Sequence, residues 1–175
     1  GEQGADGQLK LSLLDRFAAR MTLSGGTNVA AWYRESVAQD AKNASIAAEN
    51  ARKHGYVAKD NKDGPFNYHI ALVDDPPFEE RPEPTENDFV LGVRPEFVHL
   101  SDDGAIEGEI FSAMPTGMET TVKIRVGNFL LTGVVFGGVL YKIGQKVRLD
   151  FSGNAVMLFS RKNGRLIGTG SVSFR

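Results

Sequence analysis

The sequence predicts a mainly β fold of the α+β class, in which a helical insertion interrupts a small β-barrel. Three observations predict it: short runs of β-forming residues fill the C-terminal half, a long stretch without Pro or Gly lies before them, and an acidic, proline-rich segment separates the two. Many short strands at regular spacing are typical of a small barrel or sandwich. With 175 residues, the chain suffices for one domain, or two small ones, with a core.

Residues 1–26 are predicted to form a strand and a short helix that join the barrel. Leucines alternate with polar residues from Gln8 to Leu13, which predicts the strand. The next apolar residues recur at three- and four-residue spacing, and this predicts a helix from about Leu14 to Leu23. Ser24-Gly25-Gly26 is expected to end that helix.

Residues 27–73 are predicted to form a helical excursion and a return strand. The helix runs from Asn28 to His54, with Thr27 or Asn28 as its N-cap and an Ala-rich interior. Its apolar face becomes thin after Val37, where mostly Ala follows. We therefore expect the first turns to dock on the barrel, and the rest to pack lightly or against another chain.

The alternation over Phe66–Val73 predicts the return strand. Residues 74–88, which follow it, are predicted to form a linker. The linker has seven acidic residues, one Arg and four Pro. Pro cannot donate to a β-ladder, so the segment is expected to be extended and solvated. The spacing of its carboxylates fits no calcium loop, which favours a linker over a metal site.

Residues 89–175 are predicted to form the barrel, and their length suits an OB-like one. The region opens with the apolar run Phe89–Glu96, in which Pro95 stops ladder pairing because it lacks an N–H. Gly127-Asn128, Gly153-Asn154 and Asn163-Gly164 are pairs that two-residue hairpins prefer. The remaining predicted strands are Ile106–Phe111, Thr120–Val126, Phe129–Val135, Lys146–Phe151, Asn154–Ser160 and Arg165–Phe174.

The composition argues against several classes of partner. Residues 1–87 carry 10 basic and 14 acidic side chains, and residues 88–175 carry 10 and 8, so neither half has the basic excess of a nucleic-acid surface. No apolar run approaches a membrane span, so direct membrane insertion is not expected. The chain has no Cys, which fits a reducing compartment.

No motif predicts catalysis. His54, His69 and His99 lack the spacing of metal ligands. The sequence has no nucleophile elbow, no His-Glu-x-x-His pattern, no phosphate-binding loop and no hydrophobic strand that ends in Asp-Glu. We therefore expect a non-enzyme without catalytic residues, a cofactor or a metal site.

Several segments, in order along the chain, resemble the TOBE domain, the OB-fold-like C-terminal regulatory domain of ATP-binding subunits in ABC sugar importers of the maltose-importer type. Leu91–Glu96 resembles its Gly-x-Arg-Pro-Glu signature, and Phe111–Val122 its Gly-x-Glu-Thr segment. Gly144–Val147 and Leu158–Ile167 resemble its last two strand motifs, and Asp6–Leu11 a strand that precedes the signature. The chain differs at Ser160, where the family usually has Asp, and Thr22–Thr85 does not align.

The resemblance implies a non-catalytic regulatory and dimerisation domain that acts in carbohydrate uptake. Because the sequence begins at Gly1, we expect a fragment, a processed form or a tagged version. ATP and Mg are expected only in the missing ATPase domain. The implied partners are a second copy of the ATPase subunit, its own nucleotide-binding domain and, through the parent, the membrane subunits. The implied location is cytoplasmic, at the inner face of the cell membrane.

The resemblance also points to candidate residues with interaction or structural roles. Arg94 and Glu96 have either a local role, in which Arg94 donates hydrogen bonds to backbone carbonyls or a nearby carboxylate and fixes the turn, or they contact the nucleotide-binding domain or the partner subunit. Some relatives bind an oxyanion or a sugar-derived signal near a loop like Gly117–Thr120. The apolar run Phe129–Phe136 is mostly core, with part of it a candidate for burial by a neighbour. The full set is Gly92, Arg94, Pro95, Glu96, Gly117, Glu119, Thr120, Gly144, Phe159 and Gly164.

Two alternatives remain at this point. The first is a TOBE module, stand-alone or linked to a transporter, that binds a small anion or metabolite. The second is an oligonucleotide-binding OB domain, which would need basic residues interleaved with exposed aromatics. The near-neutral C-terminal half disfavours the second alternative.

Overall fold

The computed structural model describes residues 1–14, 16–54, 70–74 and 83–174. Within these residues the protein is mainly β, with one α-helix and two short 3-10 turns, Ser24–Gly26 and Pro95–Phe97. The first elements are β1 (Glu2–Gln3), β2 (Leu9–Leu13), β3 (Phe17–Leu23), α1 (Val29–His54), β4 (Phe89–Gly92) and β5 (Val98–Leu100). They are followed by β6 (Ile106–Pro115), β7 (Glu119–Val126), β8 (Phe129–Phe136), β9 (Lys146–Phe151), β10 (Val156–Ser160) and β11 (Leu166–Phe174).

The strands form two antiparallel sheets. Sheet A has the order β1-β2-β3-β11-β10-β4, and sheet B has the order β5-β9-β6-β7-β8. Because β3 pairs with β11, and β11 with β10, the N-terminal strands and the C-terminal hairpin belong to one sheet. Helix α1 lies between β3 and β4 in the chain, so it is inserted between two strands of sheet A.

Both sheets are curled in a barrel-like way, so that their edges approach each other. In sheet B the outer strands meet, since a Cβ on Gly133 of β8 would lie 3.4 Å from Cγ1 of Val98 in β5. In sheet A the amino group of Gly1, next to β1, donates a hydrogen bond of 2.6 Å to the carbonyl oxygen of Asn87, next to β4. The coarse prediction of a mainly β, barrel-like fold with one helix is confirmed.

The core lies between the two sheets and follows the two-residue period of the strands. In β7 the residues at even positions, Thr120 to Val126, are buried, and the intervening ones are more exposed. Phe151 of sheet B and Phe174 of sheet A meet edge to face, with ring centroids 5.7 Å apart. The core therefore joins both sheets.

The predicted helix from about Leu14 to Leu23 is wrong, because this segment forms strand β3. Leu14 has a φ of 53°, and the N–H of Arg16 donates to the carbonyl oxygen of Leu13, so the chain turns here. β3 then pairs with β2 on one side and with β11 on the other. Alternate residues Ala19, Met21 and Leu23 are buried, so pairing on both sides decides the structure over the helical spacing.

The prediction for the long helix is confirmed, including its cap and its partial docking. Asn28 Oδ1 accepts a hydrogen bond of 2.8 Å from the N–H of Ala31, as an N-cap does. Val29, Tyr33 and Ser36 are buried, whereas every residue from 41 to 50 is exposed. The first three turns of α1 are therefore docked, and the second half projects into solvent.

The six strands predicted after Glu96 are confirmed, with β6 extending to Pro115. Of the predicted return strand, residues 66–69 lie outside the described residues, as does His69. In the described part, Leu72 forms a single β-bridge with Phe129 of β8. Of the predicted linker, residues 75–82 lie outside the described ranges, and residues 83–88 have no regular secondary structure.

Candidate functional site

Sheet B and its connections expose a group of large apolar side chains, which we call the apolar patch. Its residues come from the second half of β6, the β6–β7 turn, the end of β8 and the loop 137–145 that leads to β9. Their exposed fractions run from 44% to 87%. The patch consists of Phe111, Met114, Met118, Phe136, Val139, Leu140 and Ile143.

Hydrogen bonds hold the loop 137–145 across the ends of β6 and β7. At its start, the N–H of Gly137 donates to the carbonyl oxygen of Met118 at 2.8 Å. In its middle, the buried hydroxyl of Thr120 donates to the carbonyl oxygen of Val139 at 3.1 Å. At its end, the N–H of Gly144 donates to the carbonyl oxygen of Ile110 at 2.8 Å. The exposed apolar side chains of this loop are therefore presented from a fixed backbone.

The β6–β7 turn lies beside this loop and contains further predicted residues. Gly117 has a φ of 98°, a conformation that favours glycine. The N–H of Thr116 donates to the carbonyl oxygen of Glu119 at 2.8 Å, which closes the turn. Glu119 pairs with Phe136 across β7 and β8. Three predicted residues, Gly117, Glu119 and Thr120, thus lie together in and beside the β6–β7 turn, and Gly144 lies at the end of the loop 137–145, beside Ile110 of β6.

Gly92, Phe159 and Gly164 lie in sheet A instead. A Cβ on Gly92 would be 3.0 Å from Cε2 of Phe159, so the absence of a side chain on β4 makes room for a buried ring on β10. Gly164 has a φ of 70°, and its N–H donates to the carbonyl oxygen of Ser160 at 2.9 Å in the β10–β11 turn. These three residues have structural roles in packing and turning.

Arg94, Pro95 and Glu96 form the connection from β4 to β5. Pro95 opens a 3-10 turn, and the carbonyl oxygen of Arg94 accepts a hydrogen bond of 2.9 Å from the N–H of Phe97. The side chains of Arg94 and Glu96 are exposed. Among the residues that the structure describes, neither side chain makes an ion pair.

A buried polar junction between α1 and the β10–β11 hairpin escaped the sequence analysis. The hydroxyls of Tyr33 and Ser160 share a hydrogen bond, and both residues are buried. Asn163 Nδ2 donates to the buried hydroxyl of Ser36 at 2.7 Å. These contacts span 127 positions, so no local pattern reveals them. The only sequence signal is Ser160 itself, where the resembled family usually has Asp.

The same junction contains an ion pair beside a shallow cleft. The guanidinium of Arg165 pairs with the carboxylate of Asp40, and its other nitrogen donates to the carbonyl oxygen of Ser36 at 3.4 Å. The cleft has a volume of about 320 Å³, which is at the small end for ligand sites. It is lined by Trp32, Glu35, Ser36, Gln39, Arg165 and Leu166.

Among the described residues, three groups have a shifted pKa, each with a local cause. A hydrogen bond of 2.5 Å from Lys146 and the nearby charge of Arg125 hold the pKa of Glu109 on β6 below its usual value. Hydrogen bonds from the N–H and hydroxyl of Thr85 lower the pKa of Asp88. Burial raises the pKa of Tyr141 in the loop 137–145. None of these shifts brings a carboxylate or phenol into the range of general acid–base catalysis near neutral pH.

In the part of the chain that the structure describes, no group of three or more His, Cys, Asp or Glu side chains is arranged to hold a metal ion. No described helix is both long enough and apolar enough to span a membrane. No protein-family model matches the sequence, and no curated protein matches it.

Proposed function

We propose that the chain is a non-catalytic regulatory and dimerisation domain of an ABC importer's ATP-binding subunit, of the TOBE type and for carbohydrate uptake. The motif resemblance supports this proposal, and so do the curled antiparallel sheets. The residues of the Leu91–Glu96 signature lie where β4 turns into the 3-10 turn. Gly117 and Gly164, two further motif glycines, lie in hairpin turns with positive φ.

The apolar patch is the observation on which the dimerisation proposal rests. Seven large apolar side chains are each at least 44% exposed in it, and exposed apolar clusters mark interaction sites more often than single exposed side chains do. Burial of these side chains against a partner removes apolar surface from water, which favours association.

A second copy of the chain is the partner that this surface fits best. A two-fold contact uses the same patch on both copies, so every contact between two different residues occurs twice. Glu119 and Lys142 flank the patch with opposite charges and can pair across such a contact. The apolar side chains then supply the free energy, while the flanking charges set the orientation.

In the proposed assembly, the domain contributes a pairing free energy rather than a chemical step. It holds two ATPase subunits together while their catalytic halves open and close, and it offers a surface for regulators. ATP and Mg belong to the ATPase domain of the parent subunit. The proposed location is the cytoplasmic face of the cell membrane, beside the transporter's membrane subunits.

Sedimentation velocity over a concentration series tests dimerisation through the patch. The wild-type chain is expected to shift from monomer to dimer with rising concentration, and Leu140→Glu is expected to stay monomeric. Ile46→Glu is the matched control, since Ile46 is an exposed apolar residue on α1, outside the patch. A wild-type chain that remains monomeric throughout, or equal effects of the two variants, would refute the proposal.

The parent gene tests the ABC assignment separately. A phosphate-binding loop and an apolar strand ending in Asp-Glu, encoded upstream of Gly1, would support an ATPase subunit. An upstream region without these motifs would contradict it, whatever the oligomeric state.

The cleft beside α1 favours a second function, the binding of a small metabolite. Trp32 and Leu166 offer apolar surface, and Glu35 and Gln39 offer planar polar groups. The guanidinium of Arg165 is already paired with Asp40, so the cleft suits a neutral ligand better than an anion. A thermal-shift screen with neutral metabolites tests this, because a bound ligand raises the Tm by mass action. Stabilisation that persists in Trp32→Ala would contradict binding in this cleft.

A further inference from the structure

The four methionines differ widely in their access to solvent. Met118, in the β6–β7 turn, is 87% exposed, and Met114, at the end of β6, is 66% exposed. Met157 of β10 is half-buried, and Met21 of β3 is fully buried. The two most exposed methionines both belong to the apolar patch.

Exposed thioethers react with peroxides. A peroxide transfers one oxygen atom to the Met sulfur, a new S–O bond forms as the O–O bond breaks, and water or an alcohol leaves. The sulfur is oxidised and the peroxide is reduced, so no other reactant is needed. The product, methionine sulfoxide, is polar and accepts hydrogen bonds, whereas the original side chain is apolar.

We propose that Met118 and Met114 form an oxidation site for a peroxide. Oxidation of these two residues weakens the association of two copies of the chain through the apolar patch. This inference rests on the proposed dimerisation and concerns the regulation of the same surface. A sulfoxide buried without a hydrogen-bond partner is unfavourable, and a two-fold contact buries each residue twice. Oxidation of both methionines therefore introduces four sulfoxides into one interface.

The surrounding backbone makes this a change of surface chemistry rather than of fold. The carbonyl oxygen of Met118 accepts a hydrogen bond of 2.8 Å from the N–H of Gly137, and that bond does not involve the sulfur. Met114 pairs with Thr121 in the β6–β7 ladder through its backbone. Both side chains project from structure that their oxidation leaves in place.

The site is also coupled to assembly. In a dimer closed over the patch, both sulfurs are shielded from peroxide, whereas in the monomer they are open. Oxidation therefore shifts the equilibrium towards the monomer, and dimerisation protects the two methionines against oxidation. By the same linkage, dilution of the chain increases its sensitivity to peroxide.

The test combines graded hydrogen peroxide treatment with two readouts. Peptide mass spectrometry measures the sulfoxide at each Met, and sedimentation velocity measures the dimer Kd. We expect Met118 and Met114 to oxidise first, Met157 later and Met21 last. After full conversion of the first two, the dimer Kd is expected to rise at least about tenfold. Treatment with methionine sulfoxide reductase is expected to restore it.

Matched variants assign the effect to these residues. Met114→Leu/Met118→Leu removes both thioethers and keeps the surface apolar, and Met157→Leu removes a thioether elsewhere. Each variant is compared with its own untreated sample. Peroxide is expected to weaken the dimer of Met157→Leu and not that of the double variant. An equal loss in both variants, or an unchanged wild-type Kd after full conversion, would overturn this inference alone. An untreated wild-type chain without any dimer would overturn the proposed function as well.

Discussion

Tyr33 and Ser160 are 127 positions apart in the sequence, yet their hydroxyl groups share a buried hydrogen bond. The bond joins α1 to the β10–β11 hairpin, and the Ser160 hydroxyl also accepts from the N–H of Asn163 at 3.3 Å. The helical insertion is thus attached to sheet A through polar contacts as well as through apolar packing.

Ser160→Ala is expected to lower the free energy of unfolding by about 1–3 kcal/mol, because it leaves the buried Tyr33 hydroxyl without this partner. Tyr33→Phe removes the other hydroxyl, and the double variant removes both. Since the two residues are in contact, the double variant should lose less free energy of unfolding than the sum of the losses of the two single variants. Urea denaturation of all four proteins measures the coupling. Strictly additive losses would show that the two hydroxyls do not interact.

Thr120→Val is expected to cost about 1 kcal/mol, because it removes the hydrogen bond to the Val139 carbonyl while keeping the shape of the side chain. The loss should also loosen the loop 137–145, which presents three of the seven residues of the apolar patch. Thr132→Val is the control, since Thr132 is exposed on β8. Urea denaturation measures stability, and amide exchange at Gly144 reports on the loop. Equal stability of the two variants would refute a role for this bond.

Sequence patterns predicted most of the sheet because alternation and turn residues are local properties. The strands after Glu96 combine both signals. The helix prediction for β3 was wrong because its apolar residues also fit helical spacing, and pairing with both β2 and the distant strand β11 decides between the two. For this segment, long-range pairing had to be known before local spacing could be interpreted.

The candidate site was predicted only in part, because local motifs identify single residues but not which distant segments meet. Gly117, Glu119, Thr120 and Gly144 were identified by motif, and the structure places the first three at the β6–β7 turn and Gly144 beside Ile110 of β6. The exposure of Leu140 and of its patch neighbours depends on which part of sheet B is left uncovered, and alternation along a strand does not encode that. The junction of Arg165 with Asp40 depends on helix docking across 125 positions, so it too was missed.

Gly92→Ala is expected to destabilise the protein by about 1–3 kcal/mol, because the new methyl group would overpack the β4–β10 contact. Its Cβ would lie 3.0 Å from the Phe159 ring and 3.2 Å from the Met157 methyl group. Gly168→Ala is the matched control, since its Cβ would make only ordinary contacts, with Leu23 at 3.7 Å and Thr27 at 3.8 Å. Thermal unfolding of both variants provides the comparison. A Gly92 variant as stable as the Gly168 variant would show that the ring moves aside without cost.

Stability is expected to fall at acid pH partly through Glu109. Its pKa is lowered in the folded state from an ordinary value of 4.5, first by the hydrogen bond from Lys146. The stabilisation is therefore fully present above about pH 4.5 and is lost as the pH falls through the lower folded-state pKa. In Glu109→Gln this part of the pH dependence should disappear.

Urea denaturation between neutral and acid pH measures this effect. Glu107→Gln removes a carboxylate from the same strand without touching the contacts of Lys146 and Arg125, so it controls for net charge. Because Glu109 lies at the surface, added salt should reduce the difference between the two variants. Identical acid profiles of wild type and Glu109→Gln would contradict the assignment.

The two halves of α1 are expected to respond differently to Pro. Ala48→Pro lies in the half that projects into solvent, so it should unfold the helix end and change global stability by less than about 1 kcal/mol. Ala38→Pro lies between Ser36 and Asp40, which anchor the helix to the hairpin. Breaking the helix there should cost about 3 kcal/mol or more, because the junction is lost together with the helical hydrogen bond.

Far-UV circular dichroism and thermal unfolding separate the two responses. Both variants should lose helical signal, but only Ala38→Pro should lower the Tm of the β-sheets. The exposed half of the helix buries almost no area, so its unfolding removes little of the free energy that holds sheet A and sheet B together. An Ala48→Pro variant with an equally lowered Tm would mean that the projecting half contributes to the stability of the barrel.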